Sequence, residues 1–231
     1  HLQEYITLPS YGRIYNQSDI LDVLEKKQKK FILPYITKRA NFNYKHITNK
    51  TSLLTQVAKH IWQWKIVWWF QGGSECGARA LWFRSILANP TISYMKDHIN
   101  HKVKHREPFR PFACSVIESE MPKYFHYTSK KSPFMMFICE VKEQYRKLLS
   151  AVTHVDYTCR IQTVNKEYWL YYKLLQYLKH EYWFPWVLNT SFNDNNEPIV
   201  ETPAEALKHL CIWNIDVLIL YDYIVTYDHQ K

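Results

Sequence analysis

Apolar residues recur at helical spacing in several stretches of the chain, and this periodicity predicts six helices. Ser18 is placed to cap the first helix, whose apolar residues share one side, and Ser52 is placed to begin the second. After the glycines of residues 72–77 the chain predicts a third helix that runs to residue 88, with Arg79 just inside its start. The other three are predicted at residues 93–102, at 166–180 and from 203 onward.

Short apolar runs bounded by polar or turn-forming residues predict strands between these helices. The predicted strands lie at residues 66–70, 112–117, 134–141, 159–164, 186–188 and 217–221. Residues 31–50 carry basic residues without a regular pattern and are predicted to be an irregular connector. The alternation of strands and helices favours a mixed α/β fold, with residues 1–60 as a helical lead-in.

Composition and charge narrow the class of protein. The chain has 231 residues, of which 47% are hydrophobic, which suits one large or two small domains with a substantial core. The net charge of +9 is uneven, because the first 110 residues hold 18 basic and 7 acidic residues and the rest hold 12 and 14. This polarity favours an anionic partner, which could be a nucleotide, a nucleic acid or an acidic protein surface.

Several classes of protein are not indicated. The five cysteines are widely spaced without a CxxC pair, so neither a disulfide framework nor a zinc knuckle is predicted, and reduced buried thiols are expected. The longest apolar run, residues 66–70, is far shorter than the roughly 20 residues that span a bilayer. No membrane association is expected, no signal peptide is recognisable, and a cytoplasmic location follows as the expectation.

A cluster of cationic residues is the most informative chemical feature. Lys102, Lys104, Arg106 and Arg110 lie close together in sequence beside one acid, Glu107. The chain has only four glycines and no GxxxxGK loop, so backbone amides of that motif cannot hold a phosphate. Side chains would have to do so, because guanidinium groups offer a planar fork and ammonium groups a movable point charge.

Two other constellations could carry chemistry. His98, His101 and His105 have the spacing of metal ligands on one helix, but no carboxylate lies in register with them. Cys159 lies near His154 and could form a nucleophile pair, but its place in a predicted strand favours a packed thiol.

Some of the cationic and polar residues also have purely structural interpretations. Arg79 and Arg84 could pair with Glu75 on the face of the predicted third helix. The polar segment at residues 188–193 could be an ordinary Asn- and Ser-rich turn.

Eight sequence blocks in order resemble the C-terminal domain of the O-carbamoyltransferases of the nodulation and antibiotic-tailoring type. Eight collinear matches over about 150 residues are far more specific than one short motif. The blocks are WFQG at 69–72, ECGARAL at 75–81, RSILA at 84–88, VKHREPFRPFA at 103–113, HVDYTCRIQTV at 154–164, LNTSFN at 188–193, PIVETP at 198–203 and IDVL at 215–218.

This resemblance implies a fold and a reaction. The family domain, residues 61–231 here, has the YrdC-like fold, an open twisted mixed sheet flanked by helices. It uses carbamoyl phosphate and ATP with Mg²⁺ and makes carbamoyladenylate, with release of phosphate and pyrophosphate. A separate N-terminal Kae1-like domain, which binds iron, transfers the carbamoyl group to an acceptor hydroxyl. Nothing in these 231 residues resembles that domain, so residues 1–60 are expected to follow a missing one, which would act in cis or in trans.

The family pattern also implies site residues. Lys104, Arg110 and Arg79 are implied as the catalytic cations that bind carbamoyl phosphate and the phosphates of ATP. Further binding residues are implied at Arg106, Arg160, Asn189, Thr190 and Ser191, and weaker contributions at His154 and Asp156. No protein metal ligand is implied in this part of the chain.

Large side chains occupy several positions where the family has glycine. These are Trp64, Trp68, Trp82, Trp183, Tyr157, Tyr221 and Asn214. Trp82 is expected to crowd the phosphate site, because it follows Arg79 by three residues. One explanation is a catalytically drifted domain that binds nucleotide or nucleic acid, although nucleic acid is not the expected partner. The other is that UGA codons that mean glycine in the source organism were translated as tryptophan.

Overall fold

The computed structural model describes residues 10–30, 42–77, 79–127, 131–213 and 215–227. The helices are α1 Gln17–Lys30, α2 Lys50–Trp62, α3 Met95–Lys102, α4 Met121–Tyr124, α5 Trp169–Tyr182 and α6 Pro203–Trp213, with 3-10 turns at Glu143–Tyr145 and Lys166–Tyr168. The strands are β1 Phe42–His46, β2 Val67–Phe70, β3 Arg84–Ala88, β4 Ala113–Ile117, β5 Phe125–His126, β6 Ile138–Val141, β7 Thr158–Val164, β8 Trp186–Ser191, β9 Val217–Leu220 and β10 Tyr223–Tyr227.

The strands form one mixed sheet in the order β1-β10-β9-β2-β3-β8-β4-β7-β6-β5. The pairs β2–β9 and β4–β7 are parallel and the other pairs are antiparallel. Strands β2, β3, β4 and β9 are buried along their whole length. Burial on both faces is typical of strands covered by helices on each side. The predicted α/β class, an open mixed sheet flanked by helices, is therefore confirmed.

Two helices begin at a different residue from the predicted one. Asn16 rather than Ser18 caps α1, since its Oδ1 accepts a hydrogen bond from the backbone N–H of Asp19 at 2.9 Å. Asn49 caps α2 in the same way, accepting from the N–H of Ser52 at 2.9 Å. Ser and Asn have similar preferences for this position, so the sequence alone does not separate them.

The predicted third helix is wrong. Residues 71–83, apart from residue 78, are irregular where described, and Arg84–Ala88 form β3 in the middle of the sheet, between β2 and β8. A short run buried on both faces has no alternation, so periodicity cannot distinguish it from a helix. Arg79 consequently lies in a loop and not at a helix start.

The outer parts of the sheet also differ from the sequence prediction. Residues 42–46 of the predicted connector form β1, which pairs antiparallel with β10, while residues 31–41 lie outside the described residues. The chain turns at Tyr221 after β9 and adds β10, which was not predicted. Of the predicted strand at 134–141 only Ile138–Val141 is extended. The division into domains at residue 60 stays a prediction.

Four of the large residues at family glycine positions have left-handed backbone conformations. The φ angles are 67° at Trp64, 65° at Tyr157, 69° at Trp183 and 52° at Tyr221. Glycine adopts this region without a Cβ clash, whereas other L-residues are strained there. Trp68 and Trp82 are not among the positive-φ residues and are instead buried in the core, and Asn214 lies outside the described residues.

Replacing Trp183 with glycine should stabilise the protein. Trp183 ends α5 with φ of 69°, its side chain is 87% exposed, and its backbone N–H bonds to Leu178 and Lys179 carbonyls in a way that glycine retains. Relief of left-handed strain contributes about 1–2 kcal/mol, and the greater freedom of glycine in the unfolded chain offsets about 0.5–1. We expect thermal unfolding to shift upward by about 2–4 °C.

Trp169→Gly is the matched control, because Trp169 is also more than half exposed but has φ of −43° at the start of α5. That substitution should lower the unfolding temperature, since glycine costs about 1 kcal/mol in a helix. A Trp183→Gly variant that melts at or below the wild-type temperature would contradict the strain at this position.

Candidate functional site

A cavity of about 160 Å³ opens where three central strands carry polar or cationic residues. Ala113 of β4 lies in register with Arg160 of β7 on one side and with Asn189 of β8 on the other. Residues opposite one another on neighbouring strands share a face of the sheet. The row therefore places Arg160 and Asn189 on the same face of the sheet, one on each side of Ala113.

Three guanidinium groups from distant parts of the sequence line this cavity. Arg79 comes from the loop between β2 and β3, Arg106 from the segment between α3 and β4, and Arg160 from β7. The rest of the wall consists of Ala80, Pro111, Phe112, Ala113, Met135, Asn189, Thr190 and Ser191. No carboxylate lines the cavity among the residues that the structure describes. The described lining is consequently positively charged.

Arg79 lies against like charge. Burial lowers the pKa of its guanidinium, and the nearby charge of Arg160 lowers it further. Two like charges this close are held together at an electrostatic cost, which a bound anion would remove.

Arg106 is held by a buried asparagine that the sequence analysis did not single out. Its Nε donates to Oδ1 of Asn100 at 2.7 Å, and its guanidinium carbon lies 4.9 Å from the ring centre of Phe112. Burial, and secondarily the charge of Arg110, lower the Arg106 pKa. Asn100 also donates to the carbonyls of Pro108 and Arg110 at 3.2 and 2.9 Å, so it organises the whole turn. In the sequence, the signal that could have pointed to Asn100 is its place as a polar residue on a predicted helix, six positions before Arg106.

Lys104 does not line the cavity. Its ammonium is buried and contacts the carbonyl oxygens of Ser191 and Asn193 at 2.5 and 2.7 Å, Oδ1 of Asn193 at 2.7 Å and Oγ of Ser191 at 3.3 Å. Burial lowers the pKa of Lys104 to about 7. These contacts hold the segment that follows β8, so the structure places Lys104 against the residues at the end of β8 and outside the cavity lining.

Arg110 also lies outside the cavity lining. Its side chain is 46% exposed and pairs with Glu107 at 3.1 Å. It is linked to the cavity through its nearness to Arg106 and through Asn100, which bonds both the Arg106 side chain and the Arg110 carbonyl. Of the three cations implied as catalytic, the structure brings only Arg79 to the cavity itself.

The polar residues at the end of β8 differ in burial and in their hydrogen-bond partners. Asn189 is buried, and its Nδ2 contacts Leu81 O, Ser115 Oγ and Gln162 Oε1 at 3.0–3.1 Å, which turns the amide toward the sheet interior. Thr190 and Ser191 are half-buried at the cavity wall, and Ser191 Oγ donates to Asn193 Oδ1 at 2.6 Å. The interpretation of residues 188–193 as an ordinary turn is wrong for residues 188–191, which belong to β8.

His154 and Asp156 lie next to the site without lining it. Burial lowers the pKa of His154, whose Nδ1 is 3.2 Å from Oγ1 of Thr158. The carboxylate of Asp156 accepts from the N–H and hydroxyl of Thr158 at 3.0 and 2.7 Å, and these bonds lower its pKa. Both residues therefore order the turn before β7, the strand that carries Arg160.

The remaining alternatives from the sequence are an ion pair of Glu75, a metal site and a reactive Cys159, and the structure bears on each of them. Glu75 bonds to backbone N–H groups, and Arg84 is buried among the carbonyl oxygens of Gln71, Gly72, Phe83 and Val200, so neither forms the predicted helix-face pair. No group of three histidine, cysteine or acidic residues suited to a metal occurs in the described part of the chain. Cys159 is fully buried and burial raises its pKa well above the usual value, as expected for a packed thiol.

Trp82 does not crowd the cavity, which corrects the expectation from sequence. Its indole lies flat against the ring of Tyr168, with ring centres 3.6 Å apart and an interplanar angle of 9°. It lines a separate aromatic cleft with Trp69, Phe83 and Tyr171. The described large residues at the other glycine positions do not line the cationic cavity either.

The expected Mg²⁺ finds no protein ligand of its usual kind here. Mg²⁺ prefers carboxylates together with water and substrate phosphates, and the described lining supplies hydroxyl and carbonyl oxygens but no carboxylate. The cavity residues thus do not form a protein magnesium site. Across the described residues, none of the helices combines the length and apolar character needed to cross a bilayer.

Comparison with known proteins agrees with the sequence blocks. The family model described as carbamoyltransferase C-terminus matches residues 58–227. The chain is 41% identical over 177 residues to nodulation protein NolNO of Sinorhizobium fredii, covering 74% of this chain and 26% of that protein. It is 40% identical over 166 residues to nodulation protein NolO of Bradyrhizobium diazoefficiens, covering 69% and 30%. The chain thus spans under a third of the length of these relatives.

A solved structure has the same fold. The likeness to full-length HypF, determined in its phosphate- and nucleotide-bound form, has a TM-score of 0.55 at 18% identity and covers 81% of this chain and 23% of that one. At this identity the likeness concerns the fold alone. It confirms the predicted YrdC-like class of open sheet.

Proposed function

Because the chain belongs to the carbamoyltransferase C-terminal family, we propose that it is the carbamoyladenylate-forming part of an O-carbamoyltransferase. It would use carbamoyl phosphate and ATP to make carbamoyl-AMP. The convergence of Arg79, Arg106 and Arg160 on one cavity carries this proposal, since two phosphorylated reactants need fixed positive charge.

The proposed reaction needs this positive charge in its transition state. Water releases phosphate from carbamoyl phosphate and leaves carbamate, whose oxygen then attacks the α-phosphorus of ATP. A carbamate–phosphorus bond forms and the bond to pyrophosphate breaks. Negative charge accumulates on the phosphoryl oxygens in the transition state, and guanidinium groups placed beforehand stabilise it without rearrangement.

The size of the cavity fits the smaller part of these reactants. At about 160 Å³ it is below the roughly 300–1,000 Å³ of pockets that enclose a drug-sized ligand. It would hold a carbamoyl phosphate or the reacting phosphates, while the nucleoside would extend through the opening. Thr190 and Ser191 would supply neutral hydrogen bonds to the same anion, and the exposed Arg110 would attract it at the entrance.

The carbamoyl acceptor would be chosen elsewhere. The relatives are more than three times as long as the matching part of this chain, which leaves room for the Kae1-like transferase domain that the resemblance implies. That domain, in cis or in trans, would bind iron and pass the carbamoyl group to a hydroxyl.

Purified protein that is supplied with ATP and Mg²⁺ should release pyrophosphate from ATP only when carbamoyl phosphate is added. The release is measured as the additional phosphate that appears when pyrophosphatase is present, because the reaction also frees phosphate from carbamoyl phosphate. Omission of carbamoyl phosphate is the control. Folded protein that binds pyrophosphate but never releases it from ATP would overturn the proposal. Binding of RNA that weakens steeply with salt, without preference for ATP, would instead favour the drifted binding module.

A further inference from the structure

Glu75 is a buried carboxylate that forms no direct ion pair in the described structure, although its charge raises the pKa of the buried Arg84 and so partly offsets the effect of burial there. Glu75 is only 6% exposed. Its Oε1 accepts hydrogen bonds from three successive backbone N–H groups. The donors are those of Leu81 at 2.9 Å, Trp82 at 2.6 Å and Phe83 at 2.7 Å. Successive N–H groups that converge in this way form an anion-binding concavity, which here binds a carboxylate of the same loop.

Arg79 lies within the loop that these bonds close. Glu75 precedes it by four residues, and the first donor, Leu81, follows it by two. Charge-assisted hydrogen bonds are roughly twice as strong as neutral ones, so the carboxylate fixes the chain on both sides of Arg79 more firmly than a neutral acceptor would.

A second set of bonds ties the same loop to the sheet. The carbonyl oxygen of Leu81 accepts from Nε2 of Gln162 at 2.8 Å and from Nδ2 of Asn189 at 3.1 Å. Gln162 lies on β7 two residues after Arg160, and Asn189 lies on β8. The loop that carries Arg79 is therefore fastened to the strands that form the opposite cavity wall.

These anchors oppose an electrostatic force. The charges of Arg79 and Arg160 repel one another, and an exposed loop without anchors would relieve the repulsion by moving Arg79 into solvent. The N–H bonds to Glu75 and the bonds from Gln162 and Asn189 to the Leu81 carbonyl hold the chain two to four residues after Arg79, and they oppose that movement.

We infer that Glu75 is a positioning residue that acts through Arg79: it closes the loop at residues 75–83 and holds the Arg79 guanidinium opposite Arg160 for the incoming phosphate. This inference rests on the proposed function for the identity of the phosphorylated reactant, but the holding of the anion site itself can be measured without turnover.

The test is a double-mutant cycle with pyrophosphate as the probe. Titration calorimetry would give the pyrophosphate affinity of wild type, Glu75→Gln, Arg79→Ala and the double variant. We expect Glu75→Gln to weaken binding by at least about tenfold and the double variant to bind like Arg79→Ala alone, because non-additivity reports action through a shared contact. A merely structural role would not produce this pattern.

Two controls keep the cycle decisive. Asn49→Ala removes the cap of α2 far from the cavity, and it should lower stability while leaving pyrophosphate affinity unchanged. If Glu75→Gln does not fold, Gln162→Met removes a donor to Leu81 and should couple to Arg79 in the same way.

The outcomes are distinct from those of the turnover assay. Effects of Glu75→Gln and Arg79→Ala that simply add would overturn the inference and leave the proposed function standing. Coupled binding effects in a protein that releases no pyrophosphate from ATP would overturn the proposed function and support the inference. A wild-type protein that does not bind pyrophosphate would overturn both.

Discussion

Replacing Arg160 with alanine should lower carbamoyl-phosphate-dependent pyrophosphate release by about 10²–10³-fold, the usual effect of removing one preplaced charge stabiliser. Arg160 lies on a central strand, in register with Ala113, and its position does not depend on a loop. Loss of its guanidinium would leave Arg79 and Arg106 to stabilise the transition state from one side only. The affinity for pyrophosphate should fall as well.

Two other arginines provide the comparison. Arg13→Ala removes the same charge from an exposed position paired with Asp19, and it should leave the rate unchanged. Arg110→Ala should have an intermediate effect, about tenfold and mainly on KM, because its half-exposed charge lies outside the cavity lining and acts through water. Equal losses for all three variants, or full activity of Arg160→Ala, would contradict the assigned geometry.

Lys104→Met should lower the free energy of unfolding by about 3 kcal/mol at alkaline pH. Methionine has a similar length but no donor, so the buried carbonyl oxygens of Ser191 and Asn193 lose their partner at about 1–3 kcal/mol each. The segment after β8 should loosen, and pyrophosphate release should fall together with stability. Urea denaturation at pH 9.5 measures the stability term.

The size of this effect should depend on pH in a defined direction. Burial lowers the pKa of Lys104 from 10.5 to about 7, so between these values the unfolded chain binds more protons than the folded one. The contribution of Lys104 to stability is therefore complete above pH 10.5 and is lost as the pH falls toward 7. The stability difference between wild type and Lys104→Met should be smaller at pH 6.5 than at pH 9.5. A difference that is constant or larger at pH 6.5 would contradict the burial of the ammonium.

The fold could be predicted in class but not in its central detail. Long amphipathic segments such as α2 and α5 were evident because their apolar spacing repeats over several turns. The strand β3 was missed because its five consecutive buried residues show no alternation of apolar and polar positions. The strands β1 and β10 were missed because each is defined by its pairing with the other, which the sequence does not show. The family blocks supplied the sheet class that periodicity could not.

The sequence predicted which residues contribute to the candidate site, and the structure corrected how they are arranged. Arg79, Arg106 and Arg160 were all named from sequence, and the structure brings them to one cavity. Lys104 and Arg110 come from the same cationic segment, yet one is buried against the end of β8 and the other is paired at the surface. Neighbouring residues on an irregular segment point in different directions, and sequence spacing does not give those directions.

The sequence by itself determined the chemistry available to this protein: its family, its excess of positive charge and the arginines that can bind phosphate. Only the tertiary structure decided which cations share a cavity, because that depends on strand register between β4, β7 and β8 and on a loop closed by Glu75. Register and loop closure join residues up to about a hundred positions apart, and the hydrogen bonds that fix them leave no local pattern in the chain.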